Sequence, residues 1–210
     1  MYNPADQCIS WRSRVGDFDS PPTFDQTVQV FREQVWGWQL HVAEMCLNGG
    51  KDQNDDKTVS PLPHSAFAAM QIMCSYFEMI ANYRDGYCDE KGKQSGAFFK
   101  RGLIWVFPEL ASAPIRVVEN VKNVFWKQLR CGLYHGLSTG GIILSGDVSG
   151  LFAIDTQGHF WLNPHHWPIH LKSHLITYCD QLNDPSNTDL RGKFAKRLRF
   201  DNAKAQQKHA

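Results

Sequence analysis

Apolar residues recur at three- and four-residue intervals over most of the chain, which is the spacing of helices that bury one face. The pattern predicts helices over residues 24–47, 64–83, 97–107, 169–182 and 190–200, and one more that follows Pro114 and carries the apolar residues Val117, Val121, Phe125, Leu129 and Leu133. Thr23 is suited to cap the first helix, and Asn48-Gly49-Gly50 to end it. We therefore expect a mainly α protein, a bundle of about four to six helices.

Short apolar runs separated by glycine-containing turns interrupt the helical pattern within residues 140–163. These runs predict a small β-meander or hairpin of two or three strands, and residues 168–200 then return to helical spacing. Residues 1–22 are expected to be irregular, 51–60 to be a polar linker and 84–96 to be a loop. Residues 1–210 are expected to form a single helical domain with this β appendage.

Composition places the chain among ordinary globular proteins, since 42% of its 210 residues are hydrophobic and 20% are charged. The formal net charge is +1, so any contact with nucleic acid has to depend on local basic clusters. No apolar run approaches the roughly 18 to 20 residues that cross a bilayer, and residues 1–20 lack the apolar segment of a signal peptide. The six cysteines form no Cys-x-x-Cys pair. A cytoplasmic location with reduced thiols is therefore expected, without a membrane partner.

Arg130 and His135 are candidate functional residues within an otherwise apolar predicted helix. A guanidinium can hold a phosphate through planar donors, and an imidazole can exchange a proton near neutral pH. Five residues of an ideal helix turn through roughly 500°, which leaves the two side chains about 140° apart. They form one site only if the helix ends or distorts near Gly132 or Gly136, or if a second copy faces them. The alternative is that Arg130 caps carbonyl groups and His135 is a satisfied, partly buried histidine.

Glu78 lies among large apolar residues of the second predicted helix, where an unpaired carboxylate is costly to bury. A pair with Arg130 would satisfy both groups and orient the guanidinium. The alternatives are that Glu78 faces solvent or pairs elsewhere, for example with Arg84.

The segment Arg130-Cys131-Gly132-Leu133-Tyr134-His135 resembles the Arg-x4-6-His signature of the HEPN superfamily (higher eukaryotes and prokaryotes nucleotide-binding). The likeness extends over roughly residues 24–138 and includes the long helix that precedes the motif. It implies a helical HEPN-like ribonuclease that cleaves RNA without metal or other cofactor, at a cleft commonly shared across a homodimer. The residue after the arginine is usually polar in active members, whereas this chain has Cys131.

The resemblance also implies a role for each motif residue. His135 would act as general base on the ribose 2′-hydroxyl or as acid on the leaving 5′-oxygen, and Arg130 would hold the scissile phosphate. Glu78 and Tyr134 would support them, and the product would end in a 2′,3′-cyclic phosphate. A toxin or phage-defence role is compatible with this family, with an antitoxin or regulatory protein as a further partner. The alternative is a catalytically inactive HEPN-like module that binds RNA, a nucleotide or a protein.

Two other clusters are candidates for binding. The last predicted helix holds five basic residues that could follow the backbone of single-stranded RNA, although a solvated basic face explains them equally well: Arg191, Lys193, Lys196, Arg197 and Arg199. His166, His170 and His174 have a spacing that could begin a zinc or nickel site. No acidic ligand accompanies them in a His-Glu-x-x-His arrangement, so we expect no metal and a solvated helix face.

Overall fold

The fold is mainly helical, as the sequence predicts. The computed structural model describes residues 8–10, 12–51, 57–88, 94–136 and 138–207, with side chains up to residue 204. The α-helices are Phe24–Val35 (α1), His41–Asn48 (α2), Ala66–Asp85 (α3), Ser95–Val106 (α4), Ile115–Val124 (α5), Trp167–Asn183 (α6) and Thr188–Gln207 (α7). The strands are Gly50–Lys51 (β1), Thr58–Val59 (β2), Ile142–Leu144 (β3), Phe152–Ile154 (β4) and Phe160–Leu162 (β5). Among these residues, no helix is both long and apolar enough to span a membrane.

The first predicted helix is confirmed as α1 and α2 joined by one π-helical segment, Trp36–Leu40. Its start follows from a capping box, because Thr23 Oγ1 accepts from the Gln26 amide at 3.2 Å while Gln26 Oε1 accepts from the Thr23 amide at 2.8 Å. Gly49, at φ 64°, ends α2.

The predicted polar linker over residues 51–60 is wrong at its two ends, which pair as the antiparallel strands β1 and β2. Gly49 allows the close approach this pairing needs, since a Cβ there would lie 2.5 Å from the carbonyl oxygen of Val59. Within residues 1–22, the described part contains a short 3₁₀ turn, Val15–Asp17, in an otherwise irregular segment. The predicted loop over residues 84–96 starts two residues too early, because α3 continues to Asp85. Residues 89–93 lie outside the described part.

The predicted β appendage is found, with a hairpin of β4 and β5, but its third strand does not continue a meander. The strand order is β3-β5-β4, and β3 runs parallel to β5. The chain after β3 crosses the end of β5, where the Asn163 side chain donates to the carbonyls of Gly146 at 3.1 Å and Val148 at 2.7 Å. This crossing delivers β4 to the far edge of β5, which explains the parallel pairing.

The chain divides into two compact units, residues 1–73 with 141–183 and residues 74–140 with 184–210, and the division falls within α3. The expectation of a single domain stays a prediction. In the first unit α1 packs on α6, and the rings of Phe31 and Tyr178 meet edge to face at 6.2 Å. Trp167, at the start of α6, is fully buried and donates from Nε1 to the Leu151 carbonyl at 3.1 Å, which ties this helix to the strands.

The second unit is built around buried aromatic rings. Phe77 of α3 lies 5.3 Å from Phe99 of α4 and 5.8 Å from Phe107, measured between ring centroids. Phe99 in turn lies 5.4 Å from the ring of Trp126, one turn before Arg130. Burial of each phenylalanine contributes about 1.5–3 kcal/mol to the free energy of unfolding. This core therefore fixes the segment on which the Arg–His motif is placed.

Candidate active site

The motif helix widens where the two functional residues lie. After α5 the chain is π-helical over Phe125–Arg130 and again over Gly132–Gly136. The Cys131 amide donates to the carbonyl of Trp126, five residues earlier. A turn with such bonds holds more residues than an α-helical turn, so residues five apart come closer to the same face. This is the distortion near Gly132 that the sequence requires if Arg130 and His135 are to act together.

Three side chains contact the guanidinium group of Arg130. Its guanidinium carbon lies 5.5 Å from the ring centroid of Trp126 and 4.7 Å from that of Tyr134. Its Nη2 is 3.7 Å from Oε2 of Glu78, so the predicted pair is confirmed. The exposed fractions of these two charged side chains are 23% and 27%. Cation–π contacts at such sites contribute about 0.5–1 kcal/mol each, and they fix the plane of the guanidinium.

Glu78 is itself positioned by the start of α4. The hydroxyl of Ser95 donates to Glu78 Oε2 at 2.6 Å. The predicted alternative partner, Arg84, lies over the ring of Trp105 at 5.0 Å. The carboxylate is therefore fixed by a neighbouring helix, and Arg130 is oriented through it.

His135 is exposed at the end of the widened helix. Its ring meets that of Tyr134 edge to face, with centroids 5.0 Å apart and planes at 82°. Tyr134 is 60% exposed and also lies over Arg130. Tyr134 therefore contacts both Arg130 and His135, and the side chains of both Arg130 and His135 reach solvent. The alternative, in which His135 is a satisfied and partly buried histidine, is wrong about burial because the side chain is exposed.

A cavity of about 340 Å³ lies beside Arg130. It is lined by two arginines, Arg130 and Arg197, and by the carboxylates that face them, Glu78 and Asp201. Arg197 donates from Nη2 and Nε to the two oxygens of Asp201, at 2.7 Å and 2.9 Å, and from Nη1 to the Tyr87 carbonyl at 2.8 Å. Both cations are therefore oriented before any ligand enters.

Asn82 and Tyr83 of α3 also line this cavity, and the sequence did not single them out. The hydroxyl of Tyr83 donates to Asp201 at 3.0 Å, and burial together with the Asp201 charge raises the pKa of this phenol, so it stays protonated. Asn82 Oδ1 is buried and accepts no hydrogen bond from the described residues. Such an acceptor costs about 1–3 kcal/mol when left unpaired.

Of the five basic residues predicted to bind RNA, Arg197 alone is among the residues that line this cavity. Lys193 pairs with Asp189 at 2.7 Å. Lys196 and Arg199 are exposed on α7, and Arg191 is half-buried. The five residues therefore do not form one basic stripe, because helical geometry distributes them around α7.

The three histidines considered as metal ligands lie at the start of α6 and along it. His166 is exposed, whereas His170 and His174 are half-buried. In the part of the chain that the structure describes, no three or more histidine, cysteine, aspartate or glutamate side chains are grouped so that they could hold a metal ion.

The fold requires glycine at position 132, because the backbone of Ser138 lies too close for a side chain. A Cβ at this position would lie 2.3 Å from the carbonyl oxygen of Ser138, whose amide donates back to the Gly132 carbonyl at 3.2 Å. A Cβ at Gly136 would meet nothing within 4 Å. Of these two glycines, Gly136 is therefore the one beside which a second backbone could approach.

Replacing Gly132 by alanine is expected to lower the free energy of unfolding by about 1–3 kcal/mol, because one of two backbone segments has to move. Gly136→Ala is the matched control, and we expect it to be neutral or to stabilise by up to about 1 kcal/mol. Urea denaturation followed by circular dichroism measures both. Equal midpoints for the two variants would show that the Ser138 contact does not constrain the motif.

The comparisons with known proteins give no relative: no family model matches the chain, and no match was found among curated proteins or solved structures.

Proposed function

We propose that this protein is a HEPN-like, metal-independent endoribonuclease whose site is the widened end of the motif helix. The observation that carries the proposal is the continuous contact from Arg130 through Tyr134 to the exposed ring of His135. A cation that can hold a phosphate and a group that can move a proton thus reach solvent on one short segment.

In this proposal Arg130 binds the scissile phosphate and stabilises the charge that develops on its oxygens. His135 removes the proton of the 2′-hydroxyl, whose oxygen attacks the phosphorus. The phosphorus–5′-oxygen bond breaks, and the leaving oxygen takes a proton from water, while the proton of the 2′-hydroxyl stays on His135 until it passes to solvent. Glu78 keeps the guanidinium in place, and Tyr134 orients the imidazole through its edge contact.

Single-stranded RNA is the proposed substrate, because His135 and Tyr134 have to reach the 2′-hydroxyl of a flexible nucleotide. A homodimer is part of the proposal, and Ile115 and Val117, exposed by 71% and 42% on α5, offer apolar surface for a second copy. The proposal includes a cytoplasmic toxin or defence role, held in check by an antitoxin or regulatory protein, with which an RNA-cleaving activity is compatible.

A second candidate is a catalytically silent module that binds RNA or a nucleotide. It is favoured by the cavity between Arg130 and Arg197, because this cavity contains two guanidinium groups and His135 is not among its lining residues. Retention of an RNA oligonucleotide without turnover, lost in Arg197→Gln, would support this candidate over the nuclease.

The proposal is tested by incubating the full chain, in the presence of EDTA, with a single-stranded RNA and with DNA of the same base sequence. We expect the RNA to be cut and the DNA to stay intact, since DNA lacks the 2′-hydroxyl nucleophile. A third strand with one ribonucleotide in a DNA background should be cut only after that ribonucleotide. Equal cleavage of RNA and DNA, or no cleavage of either, would contradict the proposal.

A further inference from the structure

The first unit contains a basic cavity that is independent of the Arg–His motif. It has a volume of about 240 Å³ and is lined by three cationic side chains: Arg12 from the N-terminal segment, Arg32 from α1 and Lys172 from α6. Glu33 supplies the one negative charge among its lining residues. Three positive charges and one negative charge leave an excess of two positive charges around a small opening.

Hydrogen bonds within the protein fix Glu33 as an anion, and its single negative charge is already included in this excess of two. Its Oε2 accepts from the hydroxyls of Ser10 and Ser13, the latter at 2.6 Å, and its Oε1 accepts from Gln29 at 3.0 Å. Burial raises the pKa of the Glu33 carboxyl, but these hydrogen bonds and the Arg12 charge outweigh that effect and lower the pKa below its usual value. Glu33 is therefore ionised and hydrogen-bonded, as a structural part of the cavity floor.

The cations are placed where an anion can reach them. Arg12 and Arg32 are exposed, so an incoming ligand meets guanidinium groups that still contact solvent. The ammonium group of Lys172 lies 4.1 Å from the ring centroid of Trp36, and this contact holds it at the cavity wall. Leu175 and Ile176 add an apolar wall on the α6 side, with Ile176 41% exposed.

We propose that this cavity binds a small phosphomonoester, with the phosphate on Arg12, Arg32 and Lys172 and a short organic group against Leu175 and Ile176. Two guanidinium groups match the oxygens of a phosphate through paired hydrogen bonds. A phosphomonoester carries a charge of about −1.5 to −2 at neutral pH, which balances the excess of two positive charges. The volume lies below the roughly 300 Å³ of pockets for larger ligands, which selects a compact ligand.

The charge argument is tested with three related ligands on the full chain. Isothermal titration at low salt is expected to give saturable one-site binding of glycerol 3-phosphate. The corresponding glycerol sulfate ester, similar in shape but with a single negative charge, is expected to bind more weakly, and glycerol itself not to bind. Equal affinity for the phosphate and sulfate esters, or no saturation by millimolar glycerol phosphate, would overturn the proposal.

The location is tested with Arg32→Gln, which is expected to weaken binding of glycerol phosphate about 10- to 100-fold, as for loss of a charge-assisted hydrogen bond. Arg116→Gln is the matched control, because Arg116 is exposed on α5 and its substitution removes the same charge. Lys172→Gln, measured in parallel, gives the answer if Arg32→Gln does not fold. Equal affinities of the folded cavity variants and the Arg116 control would place the phosphate elsewhere and refute this site.

Discussion

His135→Ala is expected to lower the rate of RNA cleavage by about 10²- to 10⁴-fold, the usual contribution of a positioned general acid or base. Because the imidazole is exposed, its removal should change the free energy of unfolding by less than about 0.5 kcal/mol. A time course with end-labelled single-stranded RNA in EDTA, at equal concentrations of folded protein, measures the effect.

His166→Ala is the matched control for this experiment, since His166 is also an exposed histidine and belongs to the cluster first considered for metal binding. We expect it to cleave RNA at the rate of the unaltered chain. If His166→Ala lost activity and His135→Ala kept it, the Arg–His site would be wrong and the histidine cluster on α6 would become the better candidate.

Gly102→Ala is expected to lower the free energy of unfolding by about 3 kcal/mol or more, or to prevent folding. A Cβ at residue 102 would lie 1.8 Å from the carbonyl oxygen and 2.6 Å from the carbonyl carbon of Phe77. These are backbone atoms of α3, so no side-chain rotation relieves the clash, and α4 would have to move away from the aromatic core. Guanidinium denaturation followed by circular dichroism gives the change.

Gly192→Ala controls for the general effect of alanine in a helix. Gly192 lies in α7, and a Cβ at this position would meet nothing within 4 Å. It is expected to stabilise by up to about 1 kcal/mol, as alanine favours the helix over glycine. Similar midpoints for Gly102→Ala and Gly192→Ala would mean that α4 does not require the close approach to Phe77.

The helices could be predicted from the sequence because their local signals agree with their burial. The Thr23 cap, the Gly49 stop and the apolar spacing of α1 all act within a few residues. The topology of the short strands could not be predicted in the same way. Parallel pairing of β3 with β5 depends on how the chain between β3 and β4 crosses Asn163, and strand alternation carries no information about that path.

The candidate site was predictable in part. The pairing of Glu78 with Arg130 follows from the cost of burying each charge alone. Trp126 and Tyr134 stand four residues before and after Arg130, so the contacts they make with its guanidinium follow a spacing that could have identified Trp126 in advance. The position of the π-helical turns could not be predicted from the sequence, because several neighbouring turns of this helix have the same apolar pattern.

Arg197 shows what sequence spacing cannot supply. Its position in the sequence groups it with the basic residues of the last helix, yet it lines the cavity beside Arg130, which lies 67 positions earlier in the chain. Asn82 and Tyr83 also line this cavity without any signal in the sequence. The tertiary packing of the second unit decides which faces of α3 and α7 line the cavity.

The chemistry of the cleaved ends tests the central claim most directly. We propose 2′-hydroxyl attack assisted by His135 and Arg130 without metal, so RNA cut by the full chain in EDTA should carry a 2′,3′-cyclic phosphate on one fragment and a 5′-hydroxyl on the other. Mass spectrometry of the fragments distinguishes these ends, and the His135→Ala reaction should lack them. Fragments with a 3′-hydroxyl and a 5′-phosphate, or cyclic ends produced equally by His135→Ala, would contradict the account.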